Sequence, residues 1–387
     1  MMAVLGAVRS KLDEGYRRLQ AFRHRHEMAE IAVFFIAGFL FDILTLSRID
    51  DVATLVQEGL YLVLLGALVM MDERYRADLA APPRWLAPAW RFSEDAIHFL
   101  FGSLLSSFTL FYLKSSSGLA PVLFMSILGT LLVANELPRI RERGPVVRFA
   151  LLSLCVTTYG ALLLPIALGF ISRWMFVAAV VMACAAIGWC VRTLSRWTGE
   201  ARAVLRRAAG PAFGMQAILV VAYFMGAIPP VPLSVQFMGI YHEVVPPGAQ
   251  TAAEGGDSPA GRTYELRHER PWWKLWQHGD QDFAARPGDV VYCFARIFAP
   301  GGFQDAVYVH WSWHGGTGDW LDEGRTRLGI VGGRGDGFRA FATKRNYQPG
   351  RWRVAIETED GRDIGVIRFD LFDDLTSGAR RFLVDRQ

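Results

Sequence analysis

Seven apolar stretches, each long enough to cross a lipid bilayer, follow one another in the first 230 residues of this 387-residue chain. A transmembrane helix needs about 17 to 25 apolar residues, since the backbone of such a segment must satisfy its own hydrogen bonds. The stretches are residues 28–47, 53–71, 95–113, 119–135, 147–168, 174–192 and 212–229. They predict a membrane all-α bundle of seven transmembrane helices over residues 28–230, in keeping with a composition that is 52% hydrophobic.

Basic residues alternate between the connections of these stretches. Nineteen Lys and Arg residues fall in the amino-terminal arm and in or at the edges of the connections after the second, fourth and sixth stretches, with Arg148 and Arg192 at the ends of the adjoining stretches. The other connections hold three, Arg48, Lys114 and Arg173. Because cytoplasmic connections retain Lys and Arg, the N-terminus is predicted to be inside and the C-terminus, after an odd number of crossings, outside.

Residues 1–27 form a charged arm ahead of the first stretch. Leu5, Val8 and Leu12 recur at helical spacing with basic residues between them. This pattern predicts an amphipathic helix on the inner leaflet, the alternative being a solvated arm that packs on the bundle. The arm lacks the features of a cleaved signal peptide, so the first stretch is predicted to be an uncleaved anchor.

The pattern changes after residue 230, where short β-forming runs alternate with Gly, Pro and Asp. Residues 231–262 are interpreted as an extended segment and linker, 263–375 as a β domain and 376–387 as a C-terminal tail. The predicted strands are 289–298, 304–314, 325–331, 338–345, 352–358 and 364–371, with one more from 263–269 or 233–245. About seven short strands are typical of an immunoglobulin-like sandwich, and we predict an all-β sandwich outside the membrane.

Ionisable residues within the apolar stretches are the candidates for intramembrane function, since a charge in the bilayer is costly unless it is paired or hydrated. Asp42 and Glu58 lie toward the outer ends of the first two stretches. They suggest a proton or cation site, or else a structural contact at the interface. His98, near the inner end of the third stretch, suggests a proton relay or simple helix-end polarity.

A glycine-rich run, Gly332–Arg339, is predicted to connect the strands 325–331 and 338–345. Consecutive amide hydrogens in such a loop can form an anion site, and Arg334 and Arg339 would add planar donors for carboxylate or phosphate. The alternative is a turn in which Asp336 or another carboxylate pairs with Arg339. Arg334, Arg339 and Asp336 are therefore the ligand-binding candidates.

Two aromatic or histidine-rich runs have weaker interpretations. Trp272, Trp273 and Trp276 suggest a carbohydrate platform, a membrane-surface belt or core packing. His310 and His314 cannot share one metal ion on a strand, because positions i and i+4 are about 13 Å apart. Alternation places Val307, Val309, Trp311 and Trp313 on the core face of that strand.

Several classes of function are disfavoured by the sequence. H-E-x-x-H, G-x-S-x-G, P-loop and dinucleotide signatures are absent, so no catalytic residue and no cofactor is predicted. The four cysteines contain no C-x-x-C pair, and no metal site is predicted. A net charge of +4 gives no basic domain and argues against a nucleic-acid partner.

The outer domain carries a series of short motifs that resemble a known family. They are Phe283–Asp289, Phe294–Pro300, Trp311, Gly332–Arg334, Gly337–Arg339, Lys344, Pro349–Gly350, Trp352–Val354, Asp360–Arg362 and Ile364–Gly365. This set resembles the uncharacterised bacterial domain of unknown function 2914, and the whole chain is similar to proteobacterial proteins in which that domain follows a multi-pass membrane region. The resemblance implies an inner-membrane location and a periplasmic β domain, and it supplies no ligand or catalytic residue.

These observations favour a non-catalytic cell-envelope protein that binds or scaffolds through its periplasmic β domain. Its expected partners are the lipid bilayer and an acidic envelope glycan, a lipid head group or an envelope protein. The alternative is a proton- or cation-coupled transporter or channel that uses Asp42, Glu58 and His98. A third hypothesis is a membrane enzyme that acts on lipid or glycan.

Overall fold

The computed structural model describes a helical region followed by a β region. The described residues are 51–76, 81–90, 92–115, 124, 126–128, 130–131, 145–247, 263–316, 318–332 and 337–387. The predicted arm 1–27, the first apolar stretch 28–47 and most of the fourth stretch 119–135 lie outside them.

Among the described residues, the helical region contains five helices that are long and apolar enough to cross a membrane. In chain order its elements are α1 Val52–Arg76, α2 Ala87–Trp90, α3 Ser93–Lys114, α4 Pro145–Leu168, α5 Arg173–Thr198, α6 Ala201–Val204, a π-helix Leu205–Ala209, and α7 Gly210–Phe224. Helices α1, α3, α4 and α5 coincide with predicted stretches, and α6, the π-helix and α7 form one continuous span, Ala201–Phe224.

The last span differs from its prediction, which was 212–229. It begins eleven residues earlier, as counted from Ala201, and it ends at Phe224. Pro211 has no N–H and its ring crowds the carbonyl four residues back, which predicts a break. The chain instead inserts one wide turn, in which the Gly210 N–H donates to Leu205 O five residues back, and the helix continues through the proline.

Hydroxyl and amide side chains join α4 to α7 inside the bundle. Gln216 Nε2 donates to Ser153 Oγ at 2.6 Å, and Thr157 Oγ1 donates to Gln216 Oε1 at 2.9 Å. All three residues are buried. Small polar residues thus let these two helices pack closely, and the hydrogen bonds of these side chains are made inside the bundle.

The described residues of the β region form three sheets. Its strands are β1 Ser234–Tyr241, β2 Glu243–Val245, β3 Glu265–His268, β4 Asp282–Ala285, β5 Val291–Phe298, β6 Gln304–His314, β7 Leu321–Val331, β8 Phe338–Lys344, β9 Gly350–Glu357, β10 Asp363–Asp373 and β11 Leu383–Arg386. The sheet orders are β1-β5-β8, β4-β10-β9-β6-β7 and β11-β3-β2. The sheets β1-β5-β8 and β4-β10-β9-β6-β7 enclose one apolar core that includes the fully buried Trp311 and Trp352.

The predicted strands from 289 onward all form, with shifts at their ends. Both 233–245 and 263–269 contribute strands, although only one was expected. Strands β4 and β11 were not predicted, and β11 lies within the predicted C-terminal tail, where it pairs with β3. Val307, Val309 and Trp311 are buried as the alternation predicts, whereas Trp313 is only partly buried.

Candidate functional site

The β region meets the bundle at the connection between α4 and α5. The N–H of Gln304 donates to Gly169 O at 2.8 Å. The N–H of Ile171 donates to Asp305 Oδ2 at 2.9 Å. Gly169 has φ +79°, and a Cβ there would lie 2.7 Å from the Gly302 oxygen, so the close approach requires glycine.

Three connections of the β region lie at this end, here termed the bundle-facing end: β5–β6, β7–β8 and β9–β10. In the β9–β10 turn, the Arg362 guanidinium lies 5.0 Å from the centre of the Tyr223 ring of α7. In the β7–β8 connection, the Gly332 N–H donates to Phe303 O at 2.8 Å. A Cβ on Gly332 would overlap the Pro300 carbonyl oxygen. The start of the glycine-rich connection is therefore fixed beside the helices.

Two arginines face each other across neighbouring strands at the same end. Arg296 of β5 is the direct cross-strand partner of Arg339 of β8. Ala295 and Ile297 are buried in the shared core, so Arg296 points to the opposite face of the sheet. Its Nη1 donates to Gln387 Oε1 at 3.2 Å.

Both Nε atoms are buried and have no hydrogen-bond partner among the described residues, and no carboxylate of those residues forms an ion pair with either guanidinium. Like charges directly opposite on antiparallel strands are destabilising. A carboxylate or phosphate between two planar guanidiniums would satisfy both. We term Arg296 and Arg339 the arginine pair, and its geometry makes it a candidate anion site.

Only one member of the predicted loop site belongs to this pair. Arg339 is described, whereas Arg334 and Asp336 lie outside the described residues. The connection itself has the predicted ends, with β7 ending at Val331 and β8 beginning at Phe338. Sequence reasoning missed Arg296, whose partnership with Arg339 depends on the register of β5 and β8.

The intramembrane candidates occupy different parts of the bundle. Glu58 is 3% exposed, and its neighbour Gly59 packs so closely that a Cβ would lie 2.6 Å from Tyr159 Oη of α4. Glu58 thus faces the bundle interior. His98, on α3, lies one turn from Glu94 at the opposite end of the bundle, and Asp42 lies outside the described residues. The structure does not bring Glu58 and His98 together.

An ion network closes the end of the bundle away from the β region, here termed the far end. Arg148 of α4 pairs with Asp72 of α1, and its Nη2 lies 3.4 Å from Glu94 Oε1 of α3. Arg76 Nε lies 2.7 Å from Asp72 Oδ2, and Arg76 also pairs with Glu94. The side chains of Arg148 and Asp72 are each 6% exposed. The network ties three helices together.

A buried cluster of charged and histidine side chains lies in the β region, next to the sheet β11-β3-β2. The His242 side chain is 3% exposed, with Nε2 3.5 Å from Asp280 Oδ2 and 3.7 Å from Glu269 Oε2. Arg380 Nη1 lies 2.5 Å from Asp289 Oδ2, which is also 3.9 Å from His242 Nδ1. These contacts connect His242, which precedes β3 in the chain, and the carboxylates that follow β3 to Arg380, which precedes β11.

Burial sets the protonation of this cluster. It lowers the pKa of His242 to about 4, with Arg380 adding to the effect, and it raises the pKa of Asp280 to about 6. Both shifts favour the neutral form of a buried group. Between these two values a neutral imidazole faces a protonated carboxyl in the folded protein.

The two histidines of β6 have separate partners. His310 Nδ1 lies 2.7 Å from Glu357 Oε1, and its Nε2 lies 3.1 Å from Asp322 Oδ1. His314 Nδ1 accepts from the Gly316 N–H at 3.1 Å. In the part of the chain that the structure describes, no group of His, Cys, Asp and Glu is arranged to hold a metal ion.

The tryptophans before β4 are exposed on the connection from β3 and do not pack in the core. Trp272, Trp273 and Trp276 are 81%, 52% and 69% exposed, and the neighbouring Leu275 is 80% exposed. Core packing, one of their three interpretations, is therefore wrong.

The carboxy-terminal part of the chain matches a known family. Residues 304–371, from the start of β6 into β10, match the family described as Protein of unknown function (DUF2914). The resemblance found from the sequence motifs is thus confirmed for this part of the chain. No curated protein and no solved structure matches the chain.

Proposed function

We propose that this chain is a bacterial inner-membrane protein with seven transmembrane helices, whose periplasmic, immunoglobulin-like β domain binds an acidic component of the cell envelope. The role is binding or scaffolding and not catalysis. One observation carries the proposal: Arg296 and Arg339 lie directly opposite each other, and the described residues place no carboxylate between them.

The ligand chemistry follows from the guanidinium groups. A planar guanidinium binds carboxylate and phosphate through parallel hydrogen bonds. An acidic glycan, a lipid head group and an acidic envelope protein all carry such groups. The position of the pair at the bundle-facing end supports a ligand close to the bilayer, and Arg334 belongs to the connection that leads into β8.

The test is binding by the purified full-length protein and its Arg296→Gln and Arg339→Gln variants. The probes are vesicles of phosphatidylglycerol, a soluble carboxylated polysaccharide and inorganic phosphate. A charge-assisted hydrogen bond contributes about 1.5 to 3 kcal/mol, so each variant is expected to bind at least about tenfold more weakly. The probe that loses affinity identifies the source of the acidic group.

Arg327→Gln is the matched control, because Arg327 is an exposed arginine on β7, outside the pair. It is expected to bind as the wild type does. Equal binding by all four proteins to every probe, or equal losses in the control and the pair variants, would refute the proposal.

The transporter hypothesis has its own supporting observation, the burial of Glu58 inside the bundle. Glu58→Gln removes a charge that is expensive in the membrane, so it is expected to preserve protein levels. Loss of a proton- or cation-dependent transport activity at normal protein levels would favour the transporter over the binding protein.

A further inference from the structure

Two cavities follow one another along the groove between α1, α4 and α5. The cavity at the far end has a volume of about 300 Å³ and is lined by Glu73, Phe149, Thr198 and Arg207 among others. The second has a volume of about 560 Å³ and an almost wholly apolar lining. The first cavity is partly polar, and the second is apolar and large enough to hold part of an acyl chain.

Helical spacing shows that the two cavities are neighbours. On α1, Met70 lines the apolar cavity and Glu73 the polar one; on α4 the corresponding residues are Leu152 and Phe149. On α5, Cys190 lines the apolar cavity, and Leu194, four residues later, lines the polar one. Residues three or four apart lie one turn apart on the same helix face, so the same three helices form one groove.

The polar cavity presents charges of both signs. Glu73 Oε1 is buried and has no hydrogen-bond partner among the described residues. The nearby Arg76 and Arg148 are already paired with Asp72 and Glu94. A buried carboxylate oxygen without a donor is costly, and an ammonium group would satisfy it.

Arg207 supplies the opposite charge from the π-helix. It lies four residues before Pro211, so the wide turn that accommodates the proline also sets the position of Arg207 at the cavity. π-Helical turns are frequent at functional sites. A guanidinium on the cavity wall suits a phosphate.

We propose that this groove binds a phospholipid whose head group carries both an ammonium and a phosphate, such as phosphatidylethanolamine. The ammonium donates to Glu73, the phosphate accepts from Arg207, and an acyl chain lies in the apolar cavity. That cavity is open to lipid, since Val63 and Trp189 on its wall are 72% and 65% exposed. Glu73 and Glu200, both on the polar wall, disfavour a lipid with net negative charge.

The test is native mass spectrometry of the delipidated full-length protein. The probes are phosphatidylethanolamine and phosphatidylglycerol with identical acyl chains, and free phosphoethanolamine. The wild type is expected to bind phosphatidylethanolamine at least about tenfold more tightly than phosphatidylglycerol.

Glu73→Gln is expected to abolish that preference, and Arg207→Gln is expected to weaken binding of both lipids. Arg206→Gln, a neighbouring exposed arginine of the π-helix that does not line the cavity, is the control and should leave the preference intact.

A steric variant tests the acyl-chain part of the groove independently of the charges. Gly66 lines the apolar cavity, and a Cβ there meets nothing within 4 Å, so Gly66→Leu adds side-chain volume at the cavity wall from an unobstructed Cβ. It should reduce binding of phosphatidylethanolamine and leave binding of phosphoethanolamine unchanged. The proposal is overturned if the wild type binds both lipids equally, if Glu73→Gln matches the control, or if Gly66→Leu binds the lipid as the wild type does.

Discussion

Arginines in two regions of this molecule differ in the groups that surround their charges. At the far end of the bundle, Arg148 is 6% exposed and pairs with Asp72 and Glu94 from two other helices. At the bundle-facing end of the β region, Arg296 and Arg339 face each other, and the described residues give neither a carboxylate. In the first arrangement each charge has an oppositely charged partner, whereas in the second the described residues supply no carboxylate for either arginine.

Structural charges and binding charges are expected to respond differently to substitution. Removal of one member of a buried, paired set leaves its partner unpaired in a medium of low dielectric constant, and stability falls. Removal of one member of a like-charged pair relieves repulsion, and stability is preserved while binding is lost. Substitution therefore distinguishes the two.

The largest loss of stability is expected for Arg148→Met. It removes the buried partner of Asp72 and leaves that carboxylate only the half-exposed Arg76, and breaking a buried pair costs up to about 3 to 5 kcal/mol. The free energy of unfolding, measured by denaturant titration of the full-length protein in mixed micelles, should fall by that amount. The double variant Asp72→Leu, Arg148→Met removes both charges, leaves Arg76 paired with Glu94, and should recover most of the loss. A single variant as stable as the wild type would contradict the structural assignment of the network.

An intermediate effect is expected from the buried cluster of the β region, and it depends on pH. The folded-state pKa of Asp280 is about 6, above its ordinary value of 3.8, so its contribution to stability is lost as pH rises through 6. The folded-state pKa of His242 is about 4, below its ordinary 6.5, so its contribution is lost as pH falls through 6.5 toward 4. Between pH 4 and 6 the two contributions oppose each other in the wild type.

Asp280→Asn removes one of these opposing contributions. Only the His242 contribution then remains, and acidification from pH 6.5 to 4 should cost about 3 kcal/mol more than it costs the wild type. His242→Gln leaves the Asp280 contribution and should shift the pH dependence in the opposite direction. The measurement is the free energy of unfolding against pH, followed by tryptophan fluorescence. Variants that share the pH profile of the wild type would show that the cluster does not exchange protons in this way.

The smallest effect on stability is expected for Arg339→Gln. Because it removes one of two like charges and breaks no ion pair among the described residues, stability should change by less than about 0.5 kcal/mol or rise slightly. The melting temperature of the full-length protein, compared with Arg327→Gln, provides the check. A loss comparable to that of Arg148→Met would place Arg339 among the structural charges and would weaken the comparison.

Much of the fold could be predicted because its signals are local. Apolar stretches of bilayer length predicted four helices nearly in place, and the alternation in β6 predicted the burial of Val307, Val309 and Trp311. The last span was misplaced because Gly210-Pro211 has the local signature of a helix end, whereas the π-helix before it lets the helix continue. Strand β4 was missed because it has four residues and depends on a parallel pairing with the distant β10.

The candidate site was only partly predictable, for a related reason. Arg339 has a local signal in the glycines that precede it. Arg296 has none, because it becomes a site residue only through the register of β5 against β8. Arg148 looked like a basic residue of a cytoplasmic connection, and its burial against Asp72 requires the packing of α1 on α4.

The hydrogen bonds between the α4–α5 hairpin and the start of β6 have a mechanical consequence. Gln304 and Asp305 bind the backbone of Gly169 and Ile171 in this connection. They are the first two residues of β6, which belongs to the five-stranded sheet of the β region. A displacement of that sheet would therefore act on the ends of two membrane-length helices directly through short hydrogen bonds, because no flexible linker separates them at this contact. Helix α4 thus contacts the β region at its C-terminal end and carries Arg148 near its N-terminal end.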